Sequence, residues 1–241
     1  MSIYNKSGVI TCLTGVAIAM LLLMSLISII DYGSGNIKSV YNAFNYLCEE
    51  GKKKLIVTNN YSEIKKSTHI ILPGVGAFQS CISGLKQISV REVLEEKVLN
   101  DKTPFLGICV GMQMLATVGH ENGIFSGLNW IKGEVKKIKP TINKLKIPHM
   151  GWNELEFKKD TNFIKELRKK TNLERVTAYF VHSYNFFLEN ESEKVVTTKY
   201  GQEITAMVSK SNIIGTQFHP EKSNFFGLIF LETFLESEKI I

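Results

Sequence analysis

From residue 26 onward, short apolar runs alternate with stretches whose apolar residues recur at helical spacing. Leu26-Ile27-Ser28-Ile29-Ile30 reads as a buried strand running into the turn Asp31-Tyr32-Gly33-Ser34-Gly35. Ile37 to Glu49 sets Val40, Ala43, Phe44 and Leu47 on one helical face. Leu55-Ile56-Val57 and His69-Ile70-Ile71-Leu72 predict two more strands, the second stopped by Pro73-Gly74. Ile88 to Asn100 predicts a helix with Val90, Val93, Leu94, Val98 and Leu99 inward. Thr103 to Ile108 follows as a strand, and Met112 to Thr117 starts the next helix. This alternation predicts an α/β fold with a central, mostly parallel sheet flanked by helices.

The second half changes period. Gly133 to Ile138 and Asn153 to Phe157 alternate apolar with polar residues, as half-exposed strands do. Val176 to Phe187, Val195 to Thr198, Ile204 to Val208 and Ile213 to Phe218 continue the β-rich theme, so additional antiparallel strands are expected there. A helix from about Gly227 to Glu236 closes the chain. Without repeats, low-complexity linker or composition break, residues 25–241 read as one domain.

Residues 1–24 stand apart as a hydrophobic N-terminal appendage. No charged residue occurs from Val9 to Ile30, a length that by itself could span a bilayer. Leu26 to Ile30 is needed as a strand in the core, however, and a strand cannot also lie in lipid. What remains is short for a span, which argues against membrane insertion. An anchor, a mobile extension, and upstream sequence included by too early a start all stay open; the last is preferred, with Met24 a candidate start.

Composition narrows the function classes. A hydrophobic fraction of 44% and a charged fraction of 22% suit a globular enzyme-sized domain of 241 residues. The net charge of +6 is scattered, and its tightest cluster, Lys52-Lys53-Lys54, reads as a solvated turn; no nucleic-acid partner is expected. The four cysteines, Cys12, Cys48, Cys81 and Cys109, form no CxxC pair and no metal spacing with histidine. They read as reduced intracellular thiols, with neither metal nor cofactor expected and a cytoplasmic setting.

Two segments carry chemistry. Gly107-Ile108-Cys109-Val110-Gly111 is the cysteine counterpart of the G-x-S-x-G elbow, which lifts a nucleophile out of a sheet. Its small flanking residues let strand and helix backbones approach, and the following amide, Val110, would face an oxyanion. A structural cysteine in a Gly-rich turn is the plainer reading of that segment alone. Phe218-His219-Pro220-Glu221 alters the balance: His219 emerges at a strand end, and Glu221 can accept from its second ring nitrogen. Cys109, His219 and Glu221 then form a nucleophile, a base that turns acid, and its orienter.

With these pieces in place, Gly107-Ile108-Cys109-Val110-Gly111-Met112-Gln113 and Gln217-Phe218-His219-Pro220-Glu221 resemble the class I (triad) glutamine amidotransferases. Four more segments resemble the glutaminase subunit family of imidazole glycerol phosphate synthase: Ile30 to Asn36, Leu72 to Phe78, Pro148-His149-Met150-Gly151-Trp152-Asn153, and Tyr179 to Tyr184. The resemblance implies glutamine as substrate, cleaved to glutamate and ammonia through a thioester on Cys109. It implies a heterodimer with a (β/α)8-barrel cyclase subunit, to which ammonia is channelled in a step of histidine biosynthesis. Matched residue by residue, it implies an oxyanion hole at Val75 and Val110. It places Gly76, Gln113, Glu121, His182, Ser183 and Tyr184 around glutamine, and Asn36, His149, Trp152 and Tyr179 toward the partner near the ammonia exit. The family carries leucine after the nucleophile where this chain has Val110, a change of packing that leaves the backbone contact intact.

Rival readings are few. A related glutaminase feeding another synthase, such as one amidating a surface sugar, would share the triad and differ in partner. A non-enzymatic module would need a broken triad, and all three residues are present. A dinucleotide site at Gly33-Ser34-Gly35 fails because Lys38 stands where the third glycine belongs. The glycines of the Pro73-Gly74-Val75-Gly76 strand make backbone rearrangement cheap, which predicts low activity until the partner is bound.

Overall fold

The computed structural model describes residues 25–48, 53–139, 145–171 and 175–236. The hydrophobic appendage at 1–24 lies outside the described residues. The first half builds β1 (Ser25–Ile30), α1 (Ile37–Cys48), β2 (Lys53–Thr58), α2 (Tyr61–Lys65), β3 (His69–Gly74), α3 (Phe78–Gln87), α4 (Arg91–Glu95) and β4 (Phe105–Cys109). A four-residue helix, α5 (Val110–Gln113), follows β4 directly. Next come β5 (Val118–Gly119), β6 (Phe125–Ser126), β7 (Gly133–Lys137), β8 (His149–Glu154), β9 (Glu156–Phe157), α6 (Asn162–Thr171), β10 (Thr177–His182) and β11 (Tyr184–Leu188). The chain ends with β12 (Lys194–Lys199), β13 (Glu203–Lys210), β14 (Ile213–Thr216) and α7 (Asn224–Glu236).

The main sheet has eight strands in the order β2-β1-β3-β4-β14-β13-β12-β9. Its first five run parallel, and β13, β12 and β9 extend it antiparallel. β3 and β4 are buried at every residue, as strands covered on both faces must be. α1 covers the sheet with Val40 and Phe44, one turn apart on one face. α7 is apolar nearly all round and buried accordingly; its Phe226 and Phe230 meet Phe218, and Phe230 also meets Phe163 of α6. The small β8–β10 ribbon and the β11-β7-β5-β6 sheet stand apart from the main sheet.

The fold departs from the sequence expectations at several places, each with a local cause. β3 continues through Pro73-Gly74 where a stop was predicted. Its pairing with β1 involves only Ile71 and the residues before it, so on that side the missing Pro73 N–H leaves no ladder bond unmade. No helix extends from Met112 to Thr117. The carbonyls of Met114, Leu115 and Ala116 instead accept from Leu128, Trp130 and Asn129, which diverts the chain after one turn. Asn153 to Phe157 is two strands in different sheets, with the Leu155 amide bonded to Val176 O at the break. Val176 to Phe187 is likewise divided between β10 and β11. The helix expected from Ile88 begins at Arg91 and passes into a π-turn over Glu96–Asn100. α7 starts earlier than Gly227, and α2, α3 and α6 were not among the predicted elements.

Candidate active site

The parallel order β3-β4-β14 decides where the site lies. The register sets Gly74 opposite Cys109 and Thr216 opposite Ile108, so three carboxyl ends emerge side by side. The Pro73–Gly76 segment thus flanks the nucleophile on one side and the Gln217–His219 segment on the other.

Cys109 is the turn between β4 and α5 and has φ 55° and ψ −112°, a region that non-glycine residues avoid. Such strain is the signature of a nucleophile elbow. A Cβ on Gly111 would sit 1.9 Å from Leu72 O, so only glycine permits this approach of α5 to β3. Cys109 is buried, with Sγ 4.0 Å from Val181 O and 3.6 Å from Gln217 Nε2.

His219 is also buried, and its Nδ1 lies 2.8 Å from Glu221 Oε1. Its backbone is held at both ends: the amide donates to Tyr179 O (2.9 Å), and the carbonyl accepts from Ser223 Oγ (2.7 Å). Ser223 Oγ in turn accepts from the Tyr179 amide at 3.0 Å, locking the loop to β10. α7 presses on this loop so closely that a Cβ on Gly227 would lie 1.9 Å from Pro220 O. With Nδ1 committed to Glu221, Nε2 is left for the thiol, toward which it makes no formed hydrogen bond. Burial lowers the imidazole pKa, but interaction with Cys109 and the hydrogen bond to Glu221 outweigh it and push it up to about 10.

Cys109 and His219 share the wall of one cavity of about 280 Å3. Val75 and Val110, the expected oxyanion donors, line it, as do all six residues expected around glutamine: Gly76, Gln113, Glu121, His182, Ser183 and Tyr184. Glu221 stands behind His219 and not in the wall.

The family model for glutamine amidotransferase class-I matches residues 28–227. The chain belongs to the class-I glutamine amidotransferases. Among its relatives, an imidazole glycerol phosphate synthase subunit HisH of Zymomonas mobilis is 46% identical, the match covering 88% of this chain and 96% of the relative. The HisH subunit of Pelagibacter ubique is 43% identical, over 87% of this chain and 98% of that one. A crystal structure of a glutamine amidotransferase from Thermotoga maritima superposes with a TM-score of 0.64 at 17% identity, covering 89% of this chain and 97% of that one, a likeness of fold.

Several residues of this amidotransferase do more than the sequence indicated. Glu121 Oε2 accepts the Phe78 amide at 2.7 Å, supplying from a distance the cap that Ala77 lacks at the start of α3. Gln113 donates through Nε2 to Gln217 Oε1 at 2.9 Å, and Gln217 passes the contact on to Cys109. Gln217 had no assigned part; its signal was a polar residue at the apolar end of a buried strand. Pro148 and Val181 also enter the cavity wall, both within segments already singled out for their resemblance.

The four residues expected to face a partner divide. Trp152 is 48% exposed and packs edge-on against Tyr179, its cross-strand partner, while Asn36 is half-buried at the start of α1. His149 points inward. It is only 2% exposed, enclosed between the rings of Phe180 and Tyr200, and its Nδ1 lies 2.9 Å from His182 Nε2. In β8 successive side chains alternate faces, so Trp152 outward and His149 inward follow from their odd spacing. Among the described residues no metal-binding group occurs, and no helix is long and apolar enough to cross a membrane.

Proposed function

We propose that the chain is the glutamine-hydrolysing subunit of imidazole glycerol phosphate synthase and supplies ammonia to the cyclase subunit in histidine biosynthesis. The observation that carries the chemistry is the meeting of the Cys109 elbow and His219 in one cavity beside Val75 and Val110, with Glu221 hydrogen-bonded behind His219. The relatives named above carry the histidine-pathway name, which favours this acceptor over a sugar-amidating synthase.

The steps follow from the geometry. As His219 Nε2 takes the thiol proton, Cys109 Sγ attacks the γ-carboxamide carbon of glutamine. The carbonyl π bond opens onto oxygen, and the amides of Val110 and Val75 hold the negative charge. As the oxyanion collapses, the C–N bond breaks, His219 gives its proton to the departing nitrogen, and ammonia leaves a γ-glutamyl thioester. Water then attacks the thioester as His219 takes one of its protons; the C–S bond breaks, His219 returns that proton to the sulfur, and the new γ-carboxyl group sheds the other to water as glutamate leaves. Glu221 keeps Nδ1 committed and stabilises the imidazolium throughout. Ammonia kept from bulk water stays an unprotonated nucleophile, the physical reason for a closed route to a (β/α)8-barrel partner in the cytoplasm.

The experiment is glutamine hydrolysis with and without the cyclase subunit, comparing the native chain with Cys109→Ala. The variant in complex should lose glutamine-dependent synthesis while added ammonium salts still support it. Glutamine-dependent turnover retained by Cys109→Ala would remove Cys109 from the mechanism, and equal hydrolysis with and without the cyclase would refute partner activation.

A further inference from the structure

Behind the wall formed by residues 182–184, three side chains are hydrogen-bonded end to end. Asn153 Nδ2 lies 3.2 Å from His149 Nε2, His149 Nδ1 lies 2.9 Å from His182 Nε2, and His182 Nδ1 lies 2.8 Å from Tyr184 O. The Asn153 amide is oriented independently of the histidines: Nδ2 donates to Lys199 O at 2.9 Å, and Oδ1 accepts the Glu154 amide at 2.9 Å. An amide nitrogen only donates, so His149 Nε2 is an acceptor. Burial pushes both imidazoles down, His149 to about 4 and His182 to about 3, so each is neutral near pH 7 and carries one proton. The His149 proton is then on Nδ1 and donates to His182 Nε2. That in turn leaves the His182 proton on Nδ1, where it donates to the Tyr184 carbonyl. The direction of the whole chain is set from its Asn153 end.

The structure assigns His149 a positioning role in the glutamine site: it locks His182 in the tautomer that ties down the Tyr184 carbonyl, and thereby shapes the cavity wall. This rests on the proposed function, which puts glutamine against residues 182–184. His149 does not itself line the cavity, and the ring stack on Phe180 and Tyr200 fixes the direction in which its Nδ1 points. Without that donor, His182 Nε2 would be a buried acceptor left unpaired. The imidazole could recover a partner only by moving its proton or turning its ring, and either change releases Tyr184. The loss should fall on substrate binding, because Cys109, His219 and Glu221 lie outside the relay.

The test compares His149→Phe and His149→Asn in complex with the cyclase subunit. Phenylalanine keeps an aromatic ring between Phe180 and Tyr200 but cannot donate; asparagine can place an amide N–H near the former Nδ1. His149→Phe should raise the KM for glutamine by about five- to a hundredfold with kcat nearly unchanged, the range expected for one unpaired buried acceptor. His149→Asn should recover most of that loss. Independently of any variant, nitrogen NMR of the native protein should find both histidines protonated on Nδ1. An unchanged KM in a folded His149→Phe protein, a loss confined to kcat, or His182 protonated on Nε2 would each overturn the assignment while leaving the glutaminase reading intact. A native complex that hydrolyses no glutamine would overturn that reading, and this inference with it.

Discussion

Adding one methyl group at Gly111 tests the elbow most directly. Its Cβ would stand 1.9 Å from Leu72 O, where ordinary contact begins at 3.4 Å, so relief requires a shift of 3.4 − 1.9 = 1.5 Å. Leu72 cannot supply it: it is fully buried and registered against Gly107 in the centre of the sheet. The displacement must therefore fall on α5 and the Cys109 turn, which carry the thiol and the Val110 amide. Overpacking of this kind costs about 1–3 kcal/mol of stability. A misplacement near 1 Å at the reacting groups lowers turnover by about a hundredfold. Gly111→Ala should accordingly melt a few degrees lower yet lose about two orders of magnitude in glutamine turnover, measured in complex with the cyclase subunit. Ammonium-supported synthesis by the same complex should be spared, since it bypasses the elbow. A folded Gly111→Ala protein with kcat within about threefold of native would refute the claim that this approach positions the nucleophile.

Three further outcomes are expected. Gln217→Leu removes the acceptor of Gln113 Nε2 and the donor beside Cys109 Sγ; it should cost about 1–3 kcal/mol in denaturant melts and lower kcat/KM for glutamine. Equal stability and kinetics would show that the two amides only fill space. Glu121→Ala uncaps α3 and should destabilise by about 1 kcal/mol, with a raised KM because the same carboxylate lines the cavity; Glu121→Gln, which keeps an acceptor, should restore most of the stability. Acid stability follows from three buried histidines. Burial lowers His69 and His149 to about 4 and His182 to about 3 in the folded chain. The unfolded chain takes up their protons near its ordinary pKa of about 6.5, so the contribution of these three is full above that pH and falls as the pH drops toward 4. Urea titrations should show this slope, and His149→Asn should remove on the order of 3 kcal/mol of it; an unaltered slope would mean that His149 titrates normally.

Much of this architecture is written in local sequence, because its causes are local. Ile27, Ile29 and Ile30 in β1, and the Val40–Phe44 stripe of α1, follow from burial and side-chain period alone, and the α/β order follows from their alternation. Phe78, Cys81, Ile82 and Leu85 carry the same helical period in α3, although the adjoining Pro-Gly segment masks it. The elbow glycines and the His219-Pro220-Glu221 run announce a nucleophile and an oriented base, since their chemistry needs those residue types in that order.

Other features depend on which strands became neighbours. That Cys109 and His219 meet follows from β14 inserting beside β4 in parallel, a pairing that neither segment encodes alone. The one-turn helix at Met112 reflects carbonyls captured by residues 128–130, and the cap on α3 comes from Glu121, 43 positions away. His149 shows the divide most clearly. Nothing in its sequence neighbours shows that strand pairing with His182 and the rings of Phe180 and Tyr200 turn its side chain into the core. Periodicity records which side of an element meets apolar surroundings; only the packed chain decides which polar groups those surroundings bring within hydrogen-bonding reach.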